Sequence, residues 1–156
     1  MQISSRFTIA VHALICIETF KNDYKVTSDF LASSVNVNPV VIRRLLQQLK
    51  KAGIVNVIRG SGGAEVKKPL NEITLLDIYN AVECVEGELF HFHENPSKLC
   101  PVGKNIHAIL DTRLEEIQKA MEQEMASVTI QDIMEDTKKL IMAEPNTPPQ
   151  INGGTL

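Results

Sequence analysis

Three stretches of this sequence carry residue types whose spacing could do chemistry. The first is Arg43-Arg44 with Gln47, Gln48 and Lys51, preceded by Asn38, Val40 and Val41. Arginine can bond guanine through two parallel N–H donors, glutamine suits adenine, and a valine methyl can touch the thymine methyl. The second is Arg59-Gly60-Ser61-Gly62-Gly63, where glycines let backbone approach closely and Arg59 suits a minor groove or a phosphate. The third holds Cys84, His91, His93 and Cys100. Cys100 precedes Pro101 at the start of a helical pattern, and a helix N-terminus favours a thiolate. His91 and His93 alternate with Phe90 and Phe92, so on an extended segment both imidazoles share a face. With Cys100 or Glu94 they are weak candidates for Zn or Cu(I).

Enzyme chemistry finds little support. No Ser/His/Asp set, nucleophile elbow or pair of catalytic carboxylates stands out. The glycines at 60, 62 and 63 fail as a nucleotide loop, since no Lys-Ser/Thr follows and no helix begins there. Cys16, in an apolar helix, reads as core, as do Met121 and Met125. Three cysteines so far apart make neither a disulfide scaffold nor a CxxC zinc site.

These residues need elements to position them. Ile3, Phe7, Ala10, Val11, Leu14 and Ile17 keep helical spacing, which predicts a first helix over 3–20. Thr27 or Ser28 can cap a short helix over 29–35. Asn38 is a good cap, with Pro39 at the first helical position of a third helix ending near Ala52 and stopped by Gly53. Its inward stripe is Ile42, Leu45, Leu46 and Leu49, which leaves the arginines outside. A strand over 54–58 and a return over 64–66 make a hairpin with a basic glycine tip. Three helices and such a hairpin describe a winged helix-turn-helix.

Beyond Pro69 the register changes. Thr74-Leu-Leu-Asp77 opens a helix to about Val85. Residues 86–100 read as irregular. A long helix from Pro101 carries Ile106, Leu110, Leu114, Ile117, Met121 and Met125, a narrow stripe suited to a helix–helix seam. Thr129-Ile-Gln-Asp132 caps a last helix ending near Met142, and the Pro/Gly-rich tail reads as disordered.

Charge divides the same way. Residues 1–68 hold ten Lys/Arg against four acids, and residues 69–156 hold six against fifteen. The formal charge of −3 is therefore a basic part of +6 joined to an acidic part of −9. That asymmetry points the first part at a polyanion. At 44% hydrophobic content over 156 residues a real core can form, so wholesale disorder is excluded. No apolar run reaches the roughly 20 residues of a membrane span, and no secretory signal opens the chain, so a cytoplasmic protein with reduced thiols is expected. With aromatics at 4% and no Trp, a single-strand stacking platform is not expected.

The opening Met-Gln-Ile-Ser-Ser-Arg-Phe-Thr-Ile-Ala-Val-His-Ala-Leu and the run from Arg43-Arg44-Leu45-Leu46 to Ala52-Gly53-Ile54-Val55 carry a resemblance. So does Arg59-Gly60-Ser61-Gly62-Gly63 leading to Glu72-Ile73-Thr74-Leu75-Leu76-Asp77-Ile78. Over about residues 1–142 the chain resembles the Rrf2 family, bacterial winged-helix transcription regulators of the IscR, NsrR and CymR type. The resemblance implies a homodimer joined through the long helix at 104–126, a palindromic promoter site, base reading by 38–44 and minor-groove contact by Arg59. Cluster-binding members carry three closely spaced cysteines before the long helix. Here only Cys84 and Cys100 fall in that region, so no cofactor is expected and the chain looks closer to cluster-free members, some responding to thiol oxidation or to a partner protein.

The expectation is thus a mainly α protein with a small hairpin wing. Residues 1–68 form the DNA-binding domain, 69–142 the linker, sensor loop and dimerisation helices, and 143–156 a tail. It binds double-stranded DNA as a homodimeric repressor. Asn38, Val40, Val41, Arg43 and Arg44 read bases. Arg59, Gly60, Ser61, Gly62 and Gly63 form the wing, and Ser4, Ser5, Arg6, Ser28, Lys50 and Lys67 meet phosphate. Cys100, with Cys84, is the redox candidate. Three alternatives stay open: a solvated polar face on the third helix, an inert Cys100, and a module that docks a partner enzyme. A metal- or cluster-loaded sensor is a further one.

Overall fold

The computed structural model describes residues 4–60, 62–82 and 89–143. Ser61, Cys84 and the tail from 144 lie outside the described residues, as do the last residues of the helix expected to reach Val85.

Helix α1 spans Arg6–Phe20 and buries Ala10, Ala13, Leu14, Cys16 and Ile17. Helix α2 spans Ser28–Val35, and of the two caps the sequence offers it uses Thr27, whose hydroxyl accepts from the Phe30 N–H at 3.2 Å. Asn36 ends it at φ 60°, a left-handed turn that asparagine tolerates and that redirects the chain into the next helix. Helix α3 spans Pro39–Lys51 and is capped by Asn38, Oδ1 of which accepts from the Val40 N–H at 2.9 Å. Its expected stripe of Ile42, Leu45, Leu46 and Leu49 is wholly buried. Phe20, Tyr24 and Phe30 close the α1–α2 corner, with ring centroids 5.5–6.0 Å apart, the range in which aromatic pairs attract.

Strands β1 (Val55–Ile58) and β2 (Gly63–Val66) pair antiparallel, Val55 opposite Val66 and Ile58 opposite Gly63. The hairpin is tied down near its tip, because the Ala64 N–H donates to the Val26 carbonyl at 2.9 Å. Gly63 lies beside that bond at φ 80°, and a Cβ there would meet the Val26 oxygen at 2.9 Å.

After Pro69 a 3-10 turn over Leu70–Glu72, absent from the sequence expectation, leads to α4 (Leu75–Ala81). The expected Thr74/Asp77 capping box forms. The described helix runs to Ala81, and the fully buried Val82 follows it with its N–H turned back toward the Ile78 and Asn80 carbonyls. Helix α5 spans Pro101–Ser127 and α6 spans Ile130–Ala143. The two T-x-x-D starts meet: Thr74 and Thr129 form an antiparallel bridge, flanked by the Leu75 N–H on the Val128 carbonyl and the Ile130 N–H on the Ile73 carbonyl. One buried cluster therefore joins Leu14, Ile17 and Leu31 to Ile73, Ile78, Ile130 and Met134. None of the 27 residues of α5 is buried.

Candidate nucleic-acid interface

With its apolar stripe turned inward, α3 presents the opposite side to solvent. Val40 is 57% exposed, which leaves its methyls free to meet a base edge. Arg43, Arg44, Gln47, Lys50 and Lys51 are exposed beside it, while Val41 is half-buried against the core. The first two turns thus offer Val40 with two arginines, and Val41 belongs more to the support. Asn38 is exposed, but its Oδ1 is taken by the cap, which leaves its amide N–H2 to donate outward. Gln48 Oε1 is buried, with no hydrogen-bond partner among the described residues. Arg43 is not free-swinging: its Nη2 lies 3.5 Å from Oδ1 of Asp29 in the first turn of α2. Asp29 was not foreseen as a site residue, and the signal for it was an acid standing in a basic part of the chain.

The wing candidates sit together at the hairpin tip. Arg59 and Gly60 are exposed, and Gly60 takes φ 80°, which lets the chain reverse after Arg59. Gly62 and Gly63 are half-buried, Gly63 against Val26, and Ser61 lies outside the described residues. Lys67 is exposed just beyond β2, while Ser28 is half-buried at the start of α2. Ser4 and Ser5 precede α1 and Arg6 opens it, with Ser4 Oγ accepting from the Arg6 Nε at 3.2 Å. Basic and hydroxyl residues thus stand at the α1 start, the α2 start and the wing, residue types that suit phosphate contacts around a reading helix.

Away from this face, Cys100 is the exposed cap residue of α5. The backbone N–H groups of Gly103 and then Val102 pull its pKa below the ordinary thiol value. Cys16 is the reverse case: burial pushes its thiol up, partly offset by Ser34, whose Oγ lies 3.1 Å from the sulfur. Ser34 also meets His12 Nε2 at 3.1 Å, a Cys16–Ser34–His12 chain between α1 and α2. His91 and His93 are both exposed, and Phe92 stacks on His107 instead, with centroids 4.1 Å apart. No helix among the described residues is long and apolar enough to cross a membrane.

The family model for Rrf2, described as an iron-dependent transcriptional regulator, matches residues 3–136. The chain belongs to the Rrf2 family. YwnA of Bacillus subtilis (strain 168), named as an HTH-type transcriptional regulator, is 47% identical over 132 residues, which cover 85% of this chain and 96% of that protein. A crystal structure described as a DNA binding protein is 42% identical, with a TM-score of 0.66 over 83% of this chain and 99% of that one. IscR of T. potens, at 20% identity, shares the fold, with a TM-score of 0.68 over 93% and 94% of the two chains.

As an Rrf2 member the chain is a winged-helix transcription regulator and not an enzyme. The mainly helical fold with a two-stranded wing is the one expected. The family's iron-dependent description asks for a set of donors. Among the described residues no group of three or more His, Cys, Asp or Glu is placed to hold a metal ion. Cys100 stands exposed at the head of α5 without two such neighbours, so the described donors of this Rrf2 chain do not fit an iron centre.

Proposed function

We propose that this Rrf2 regulator is a cytoplasmic homodimeric repressor that reads a palindromic promoter site, its own upstream region included. The observation that carries the reading is the first two turns of α3, where exposed Val40, Arg43 and Arg44 stand opposite a fully buried stripe. In this reading the helix N-terminus enters the major groove, Arg43 and Arg44 take base edges, and Arg59 takes the minor groove or a phosphate. Two-fold pairing through α5 places two such heads on one face of the duplex, about 34 Å apart. A 27-residue helix with no buried residue and Ile117 53% exposed supports that pairing.

The test is fluorescence anisotropy on DNA from upstream of its own gene, titrated across salt. Neutralising several phosphates predicts a linear fall of log affinity with log salt, with a slope of about −0.9 per phosphate contacted. Retention of a palindrome against random DNA is the expected result. A slope near zero with no preference would favour a module that docks a protein.

The regulator is further proposed to work without an iron–sulfur cluster. The separation of Cys84 from Cys100 and the scattered donors around Cys100 support this. Colourless protein with under about a tenth of an equivalent of iron after anaerobic purification is expected, and a brown iron-loaded protein would overturn it.

A further inference from the structure

Between the Phe90–Phe92 segment and α5 lies an open groove of about 530 Å³, within the size range of small-molecule sites. Its lining is of two kinds. Phe90 and Phe92 supply flat apolar walls, and Phe92 already stacks on the His107 imidazole at 4.1 Å, so one wall is formed before anything binds. Asp111, Glu115 and Glu122 supply three carboxylates against one ammonium, Lys119. Two carboxylates are engaged locally, Asp111 with His107 Nδ1 at 3.3 Å and Glu122 with the Gln118 amide at 3.0 Å. Glu115 has no hydrogen bond or ion pair among the described residues and is exposed at the groove's edge.

A groove of this make-up discriminates by charge and shape together. Aromatic faces attract a cation through their negative quadrupole, and the attraction grows where water is partly excluded. Carboxylates at the rim add a Coulomb field of the same sense and repel anions. A hydrated metal ion gains nothing from the phenyl rings, and the scattered donors do not converge on a point. We propose that this groove is a binding site for an organic cation with a flat apolar body, the body against Phe90 and Phe92 and the positive group toward Asp111 and Glu115. The site is on the acidic part of the chain, and α3 contributes none of its lining. Binding is measured on the protein alone, so its success or failure is separate from that of DNA reading.

The experiment uses the full chain and two dyes sharing a xanthene ring, cationic rhodamine 6G and anionic fluorescein, followed by fluorescence anisotropy. Saturable binding of rhodamine 6G, at least about tenfold tighter than fluorescein, is expected, since tenfold is only about 1.4 kcal/mol of charge discrimination. The pair Asp111→Asn and Glu115→Gln, near-isosteric changes at exposed positions, should remove most of that difference. The pair Glu135→Gln and Asp136→Asn on α6, outside the groove, should leave it intact. Equal affinity for the two dyes, or unchanged rhodamine binding in the groove variant, would overturn the proposal. So would equal losses in both pairs, which would mean diffuse attraction to an acidic surface.

Discussion

Nη2 of Arg43 on the exposed side of α3 lies 3.5 Å from Oδ1 of Asp29 at the start of α2, so a charge pair joins the reading helix to the helix that supports it. Side chains 57% and 74% exposed gain little stability from such a pair, because water screens it and both chains lose rotamer freedom. Its effect is on where the guanidinium points. Asp29→Asn should therefore change thermal stability by less than about 0.5 kcal/mol. The same change should raise affinity for random DNA and lower the operator-to-random ratio, because a negative charge near phosphate is gone and Arg43 is no longer held.

Arg43→Ala carries a sharper expectation. Loss of a bidentate base contact should cost about 1–3 kcal/mol on the operator and relax preference at one position of the site. Lys50→Ala, a change at a candidate phosphate contact, should weaken all sequences alike. Measured side by side on operator and random duplexes, equal losses for Arg43→Ala would remove Arg43 from the base-reading set.

The wing depends on Gly63. Its φ of 80° disfavours any other residue, and an added Cβ would sit 2.9 Å from the Val26 carbonyl oxygen that accepts the Ala64 N–H. Backbone on both sides leaves nothing flexible to move. Gly63→Ala should destabilise the protein by about 1–3 kcal/mol in urea unfolding. Gly60→Ala meets no atom within 4 Å and bears only the cost of its own φ of 80°. A smaller loss at Gly60 than at Gly63 is the outcome that supports the tie to Val26.

Much of the reading head was legible because local signals and burial agree there. Thr27, Asn38 and Thr74 cap where their side chains can, and Ile42, Leu45, Leu46 and Leu49 keep a period that only a helix satisfies. What stayed hidden joins distant positions. Asp29 reaches Arg43, Ser34 joins Cys16 to His12, and Thr74 pairs with Thr129, and no periodicity reports on such contacts. The Phe90–His93 stretch was read as alternating, yet what matters there is Phe92 lying on His107, a partner from the next helix. The seam was half legible. Ile106, Leu110, Leu114, Met121 and Met125 are half-buried within the chain itself, while Ile117 of the same stripe is exposed.

That difference selects the variant that tests pairing. Ile117→Asp places a charge where the single chain needs no apolar contact, so the fold should survive and only a second copy should be lost. Sedimentation should show a dimer for the parent chain and a monomer for Ile117→Asp, with helical content by circular dichroism unchanged. A parent chain that sediments as a monomer at tens of micromolar would rule out pairing through α5.

The two described cysteines have opposite pH behaviour. For Cys100 the N–H groups of Gly103 and Val102 lower the thiol pKa, so its thiolate fraction at neutral pH exceeds that of an ordinary cysteine. For Cys16, burial raises the pKa, and the thiol stays protonated to higher pH. Alkylation by iodoacetamide, followed peptide by peptide by mass spectrometry, should therefore rise with pH at Cys100 first and at Cys16 last. If Cys100 is also the sensor, Cys100→Ser should abolish any loss of operator binding caused by peroxide or hypochlorite, while Cys16→Ser should not. An oxidant response that survives Cys100→Ser would leave Cys100 an exposed helix cap and nothing more.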